Sequence, residues 1–521
     1  MRLFIRRDIN AVVIAALAAL AAPPVHADNV GDRLVIADAS SDRGMPAPYV
    51  HHKNGPGYIY TSYVFDTLID HGANGDLTPG LAESWTLSDD GLVADLTLND
   101  KARWHDGTPV TAEDVAFTFA YMTDHPYVLT SVAMVDTVEA ISKDHARITL
   151  KRPYAGLQSG PLLSLPILPK HIYQDQPAPE RFVDRKAATG SGPYKLVSYD
   201  KAQGRYLFER NDGYYRGTPK FRQVAIVKMA PDAALQAMAA GEVDVIGSLP
   251  WTKVEAAKKA GLNVLSARSN HPVRLVFNHQ GMFREKDLRH ALAFAIDRQA
   301  LIDVVYQDGA VVAETGYFQM GSPWRRETAD PDYAHDADKA AALFRQNGWE
   351  RGDDGRWHRD GSPVVLRLIA DKSFNNLATA LADQLEAFGI SVDLRILERA
   401  AQQEHVRTGD FDLALFTAST MGDPNGVARR VTSPMFWRGD RFQDSEAMKA
   451  AIRAQAGALD HAERLDQLHR FQALYAEELP AYMLVNPIWT TVHSDKVTPR
   501  YLGDGVAFGI PSALHKSMFL R

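Results

Sequence analysis

Gly156-Leu157-Gln158-Ser159-Gly160 is where this chain comes nearest to a nucleophile elbow. An activated serine of that kind needs the spacing G-x-S-x-G, so that a strand turns sharply into a helix beneath the hydroxyl. Here the leading glycine stands one position too far away, so the spacing is wrong. Catalytic zinc asks for histidines on one helix face, as in H-E-x-x-H, and His461, Glu463 and His469 do not reproduce such a spacing. Gly190-Ser191-Gly192-Pro193 lacks the rest of a dinucleotide fingerprint, and no P-loop occurs. The 18 histidines are scattered, apart from His51-His52, which reads as solvated surface in a polar segment. A glycosidase needs only two carboxylates close in space, and spacing along the chain does not decide that. These patterns offer no catalytic constellation, no metal site and no cofactor site, and they leave a carboxylate pair open. A secreted hydrolase on an unrelated α/β fold is the competing class.

The elements that would position any site alternate between short strands and helices, which implies α/β architecture. Asp106-Gly107-Thr108-Pro109 is a turn by composition, and Thr111 begins a helix with Asp114 in capping-box spacing before Val115, Phe117 and Phe119. Leu377, Leu381, Leu385 and Phe388 recur at helical spacing, with Gly389 at a C-cap. Ile390, Val392, Leu394 and Ile396 then alternate with polar residues as a half-buried strand, and Phe411–Phe416 reads as a more buried one. Leu288, Ala291, Leu292, Ala295 and Ile296 form one helical stripe, after which Asp297 is placed to cap a second helix carrying Leu301, Ile302 and Val305.

The 521 residues are 45% hydrophobic and 23% charged, an ordinary globular balance that suggests several domains or one large bilobal protein. A formal charge of −7 without a basic cluster argues against a nucleic-acid partner. Residues 1–27 read as an export signal, with Arg2, Arg6 and Arg7 ahead of an apolar run from Ala11 to Ala22 and Val25-His26-Ala27 as the cleavage pattern. Adjacent Arg6-Arg7 also fits a twin-arginine signal, but its flanks favour the general secretory route. The absence of cysteine excludes disulfides, thiolate sites and a lipidated N-terminal cysteine. No later apolar run reaches 18 residues, so no membrane anchor is expected and the compartment is read as the periplasm.

Trp104–Phe119 (WHDGTPVTAEDVAFTF) resembles the "FHDGTP…TAEDV" signature of family 5 of the bacterial extracellular solute-binding proteins. Other segments resemble that family in its own order: LAESWTLSDDG (Leu81–Gly91), GSGPYKLVSYD (Gly190–Asp200), ERNDGYYRGTPKF (Glu209–Phe221), MAAGEVDV (Met238–Val245), RHALAFAIDRQALI (Arg289–Ile302), DADKAAALFRQNGW (Asp336–Trp349) and GDFDLAL (Gly409–Leu415). The resemblance implies an α/β, bilobal periplasmic-binding-protein fold with a hinge. Lobe I would span 28–272, with an extra subdomain at about 61–185 and a C-terminal return over 487–521. Lobe II would be 273–486, with crossings near Val273–Asn278 and Met483–Asn486. It implies a receptor for an ABC importer that closes on a peptide or related solute and hands it to a permease and its ATPase, acting as a monomer. An opine-like conjugate, nickel or haem is the alternative cargo, and signalling to a sensor partner is an alternative role.

In peptide-binding members of that family, an Asp shortly before an Asp-Pro step pairs with the ligand ammonium. Aligned on Asp423-Pro424, that position falls on Thr420, which is neutral. Either Asp423 takes the charge through a shifted loop, or the ligand lacks a free α-amine. Arg429, Arg430 and Trp437 are further candidates to meet the ligand, and Phe277 and Asn278 would line the cleft from the first crossing.

Overall fold

A computed structural model describes residues 32–39, 42–52, 55–72, 76–268, 271–327, 331–418, 423–432, 445–501 and 512–520. The expected signal at 1–27 lies outside these residues.

Two sheets share one strand. In the first, Arg33–Asp38 runs parallel to Gln223–Lys228 and to Val245–Ile246, and Arg205–Arg210 and Tyr194–Asp200 extend it antiparallel. In the second, the order is Ser391–Leu397, Val365–Asp371, Leu413–Thr417 and Val273–Phe277. The long strand Ala481–His493 joins them: Val276 pairs with Ala481 and Val273 with Val485, whereas Arg268 pairs with Ile488 and Asn263 with His493. Among the described residues the chain therefore passes between lobes twice, between Arg268 and Val273 and at Asn486-Pro487. Each lobe has its own apolar core, one running from Leu34 to Phe519 and the other from Val273 to Val485.

A separate antiparallel sheet, Ala82–Leu87, Val93–Leu98, His145–Leu150 and Val135–Ala140, belongs to the first core. Helix Ala112–Asp124 lies against it. The helix starts where its capping chemistry places it: the Asp114 carboxylate accepts the Thr111 N–H at 2.9 Å and the Thr111 hydroxyl at 3.1 Å. Gly107 has φ +93°, the left-handed conformation that the turn requires. His105 then ties this turn to a second motif: its Nε2–H donates to the Gly192 carbonyl at 3.0 Å, and its N–H donates to Gly190 at 2.8 Å.

In lobe II, helix Asn375–Ala387 buries Leu377, Leu381 and Leu385 and ends before Gly389, whose φ is +93°. Ser391–Leu397 is half-buried along its whole length and does not alternate. It is the last strand of its sheet, so neither face is fully covered. Asp297 caps the second helix by accepting the Ala300 N–H at 3.0 Å, although that helix is only Arg298–Leu301 continued by a wider turn over Ile302–Tyr306.

Candidate ligand cleft between the lobes

The lobes meet where lobe I presents the segment 154–160 and lobe II presents Asp423–Gly426 and the helix His461–Glu478. Strand Leu413–Thr417 points the chain toward this junction, and Asp423 stands at the start of helix Pro424–Thr432. Its carboxylate is 5% exposed by residue and accepts from four donors. Oδ1 receives the Asn425 N–H at 2.8 Å and the Asn425 Nδ2–H at 2.6 Å. Oδ2 receives Arg464 Nη2–H at 3.0 Å and, from the other lobe, the hydroxyl of Ser159.

Arg464 is held as firmly. Its Nε–H donates to Gln455 Oε1 at 3.1 Å, and Gln455 Nε2–H donates to Asn425 Oδ1 at 2.8 Å, closing a ring of bonds around Asp423. The guanidinium lies 4.7 Å from the centroid of Trp324. Both charged side chains are 7% exposed, so the pair is buried and mutually neutralised.

Beside this pair lies a small cavity of about 70 Å³, lined from lobe I by Thr130, Ser131, Tyr154 and Ser164 and from lobe II by Asn425 and Gly426. Its polar groups are hydroxyls and amides together with the Asp423 carboxylate, whose charge is already matched by Arg464. A larger hollow of about 330 Å³ lies wholly in lobe I, between Tyr49, His51, Tyr127 and Pro179. A site worked by two lobes belongs at the junction, so the smaller cavity is the better candidate for part of the ligand's seat.

His51 corrects its sequence reading. It is buried, 4% exposed, and not surface. Its Nδ1–H donates to the His52 carbonyl at 2.7 Å, which leaves Nε2 to accept the Tyr127 hydroxyl at 2.6 Å. Burial pushes its pKa down to about 4, against a partial opposing effect of the His52 carbonyl. Both ring nitrogens are used, and no group of three or more His, Asp or Glu among the described residues is placed to hold a metal ion.

Of the residues expected at the ligand, Asp423 is at the junction and lines the cavity. Phe277 and Asn278 lie at the end of their strand away from the crossing, since Val273 is its hinge end. Phe277 is fully buried against Phe283, with ring centroids 5.2 Å apart, and Asn278 Nδ2–H donates to the carbonyls of Gly409 and Phe411. Neither lines the junction cavity. Thr420 and Trp437 lie outside the described residues, as do the side chains of Arg429 and Arg430. Ser159, Asn425, Gln455 and Arg464 are the residues that sequence reasoning missed. Ser159 drew notice only as a rejected nucleophile, and Arg464 has no local signal, being a polar position on a long helix.

A sequence model of the bacterial extracellular solute-binding proteins, family 5, matches residues 76–434. The oligopeptide-binding protein AppA of Bacillus subtilis is 28% identical over 375 residues, covering 69% of this chain and 67% of AppA. The nickel-binding periplasmic protein of Escherichia coli is 28% identical over 395 residues, 70% of this chain and 72% of that protein. The fold matches NikA from Brucella suis in complex with Fe(III)-EDTA at a TM-score of 0.81, with 21% identity over 93% of this chain and 98% of that one. On the extent of the family match, the chain belongs to family 5 of the bacterial extracellular solute-binding proteins.

Proposed function

We propose that this chain is the exported receptor of an ABC importer for peptides, that it closes its lobes on the ligand, and that it delivers the ligand to a membrane permease. The single observation that carries the reading is the junction cavity, to which both lobes contribute neutral hydrogen-bonding groups. A peptide offers main-chain N–H and C=O groups that such a wall can satisfy with little dependence on side chains. Closure then follows from differential contact: only the closed arrangement lets both lobes touch the ligand. The strand register supports lobe bounds near 28–272, 273–486 and 487–521. Family membership supports a receptor rather than an enzyme, and residues 1–27 support export to the periplasm.

Asp423 is a poor acceptor for a ligand ammonium, because Arg464 already balances its charge. The favoured ligand is therefore a peptide whose ammonium is received elsewhere, or one whose amine is blocked. Native mass spectrometry of protein purified from the periplasm, followed by denaturing release, tests the reading. Co-purified peptides of mixed sequence and uniform length are expected. A single non-peptide mass would overturn the peptide assignment while leaving the receptor class intact.

A further inference from the structure

The lobes touch through the protein itself. Besides the Ser159–Asp423 bond, the Ala155 N–H donates to the Ala456 carbonyl at 2.8 Å, and Arg464 Nη1–H donates back to the Ala155 carbonyl at 3.4 Å. Gly156 approaches so closely that a Cβ there would overlap the Asn425 amide, and a Cβ on Gly91 would overlap Leu459. All of these contacts join lobe I to lobe II, and none requires a solute.

We propose that Arg464 is a positioning residue for closure: by fixing Asp423 it builds an acceptor that clasps Ser159 of the opposite lobe, so the closed arrangement is stabilised by the protein as well as by its ligand. The inference rests on the hinge-closing receptor reading above, but not on which solute is bound. Asp423, Asn425, Gln455 and Arg464 all belong to lobe II, so their ring of bonds is assembled before the lobes meet. Ser159 then encounters an ordered, charged acceptor, and little side-chain freedom is lost on closing. Gly156 matters for a steric reason, since a side chain there would have to displace the Asn425 amide of the opposite lobe, which is pinned to Asp423, and the Tyr154 ring of its own lobe. Such a clasp raises the population of the binding-competent state, and apparent affinity for any solute scales with that population.

Single-molecule energy transfer reads this population directly. The chain has no cysteine, so dyes attach only where cysteines are introduced, for example Ile141→Cys in lobe I and Val365→Cys in lobe II, both more than half exposed. The protein is stripped of solute by unfolding and refolding, and no ligand is added. The stripped protein is expected to show a populated closed state. Ser159→Ala is expected to lower the closed-to-open ratio about tenfold, the worth of one hydrogen bond to a charged group. Gly156→Ala should do the same by steric exclusion, and Ser159→Thr should retain the closed state. The melting midpoint should fall only slightly in the Ser159 variants, because only the closed fraction of the folded protein loses the bond, and this separates closure from a general loss of folding. A stripped protein that is always open, or variants with the distribution of the parent, would overturn the clasp. Failure to bind peptides would leave these populations untouched, so the two readings fail separately.

Discussion

Arg464 donates to Asp423 across 3.0 Å, and each side chain is only 7% exposed. The pair is therefore a buried ion pair, one partner of which cannot be removed without leaving a charge uncompensated. Arg464→Met is expected to destabilise lobe II by about 3–5 kcal/mol, whereas Asp423→Asn combined with Arg464→Met should recover most of that loss. Urea unfolding followed by circular dichroism checks it, and equal losses in the single and double variants would contradict it.

Acid should destabilise the protein through its buried histidines. Burial is the main cause that lowers both His51 and His515 to a pKa of about 4; beside His515, Asp70 opposes that effect and Lys516 adds to it. The folded values lie below the ordinary value near 6.5, so the unfolded chain binds the extra protons between them. Stability is thus fully present above about pH 6.5 and is lost as pH falls toward about 4, by at most roughly 3 kcal/mol per histidine. The urea midpoint should fall between pH 6.5 and 4.5, and should fall less in His51→Gln. Parallel profiles for parent and variant would rule His51 out.

Two glycines of the family motifs should respond very differently to alanine. At Gly190 an added Cβ would overlap the main-chain carbonyl of Val64, which cannot swing aside. At Gly107 nothing lies within 4 Å of the added atom, and the cost is only that of φ +93° in a residue with a side chain. Gly107→Ala should cost about 1–2 kcal/mol and leave a folded protein. Gly190→Ala should separate Gly190 from His105 and abolish soluble expression or lower the melting midpoint much further. Thermal melts of the two variants under one condition make the comparison.

What could be read from the chain alone is what acts within a few residues. Thr111 and Asp114, Asp297 and Ala300, and Gly389 after its helix are all governed by local backbone chemistry, and each stands as expected. The burial of His51 depends on Tyr127, 76 positions away, and so escaped its local polar context. Ser159 and Asp423 are separated by 264 positions, and no periodicity links them. The junction was therefore foreseeable as a place between lobes, through resemblance, but its occupants were not. Phe277 and Asn278 were expected there as part of a first crossing over Val273–Asn278; the crossing lies ahead of Val273, and the strand carries both residues to its other end.

The C-terminal segment offers the last test, because it docks a lysine into lobe I. Lys516, 2% exposed, lies 2.7 Å from Asp66 and 3.4 Å from Asp70, which are themselves buried. Burial alone would raise the pKa of Asp70, but Lys516, His515 and Arg216 together hold it well below the usual carboxylate range. Lys516→Met removes the cation that serves both carboxylates and should destabilise lobe I by about 3–5 kcal/mol near neutral pH. Without the lysine the Asp70 carboxylate is left more easily protonated, and a group whose folded pKa rises favours folding as pH falls. The deficit relative to the parent protein should therefore shrink between pH 7.5 and 4.5, even as acid weakens both proteins through their histidines. Paired urea titrations at those two pH values measure the difference. A deficit that is constant with pH would mean that Lys516 contributes by packing alone, and that Asp66 and Asp70 are balanced by Arg216 and their hydroxyl partners, Tyr214 among them at 3.0 Å from Asp66.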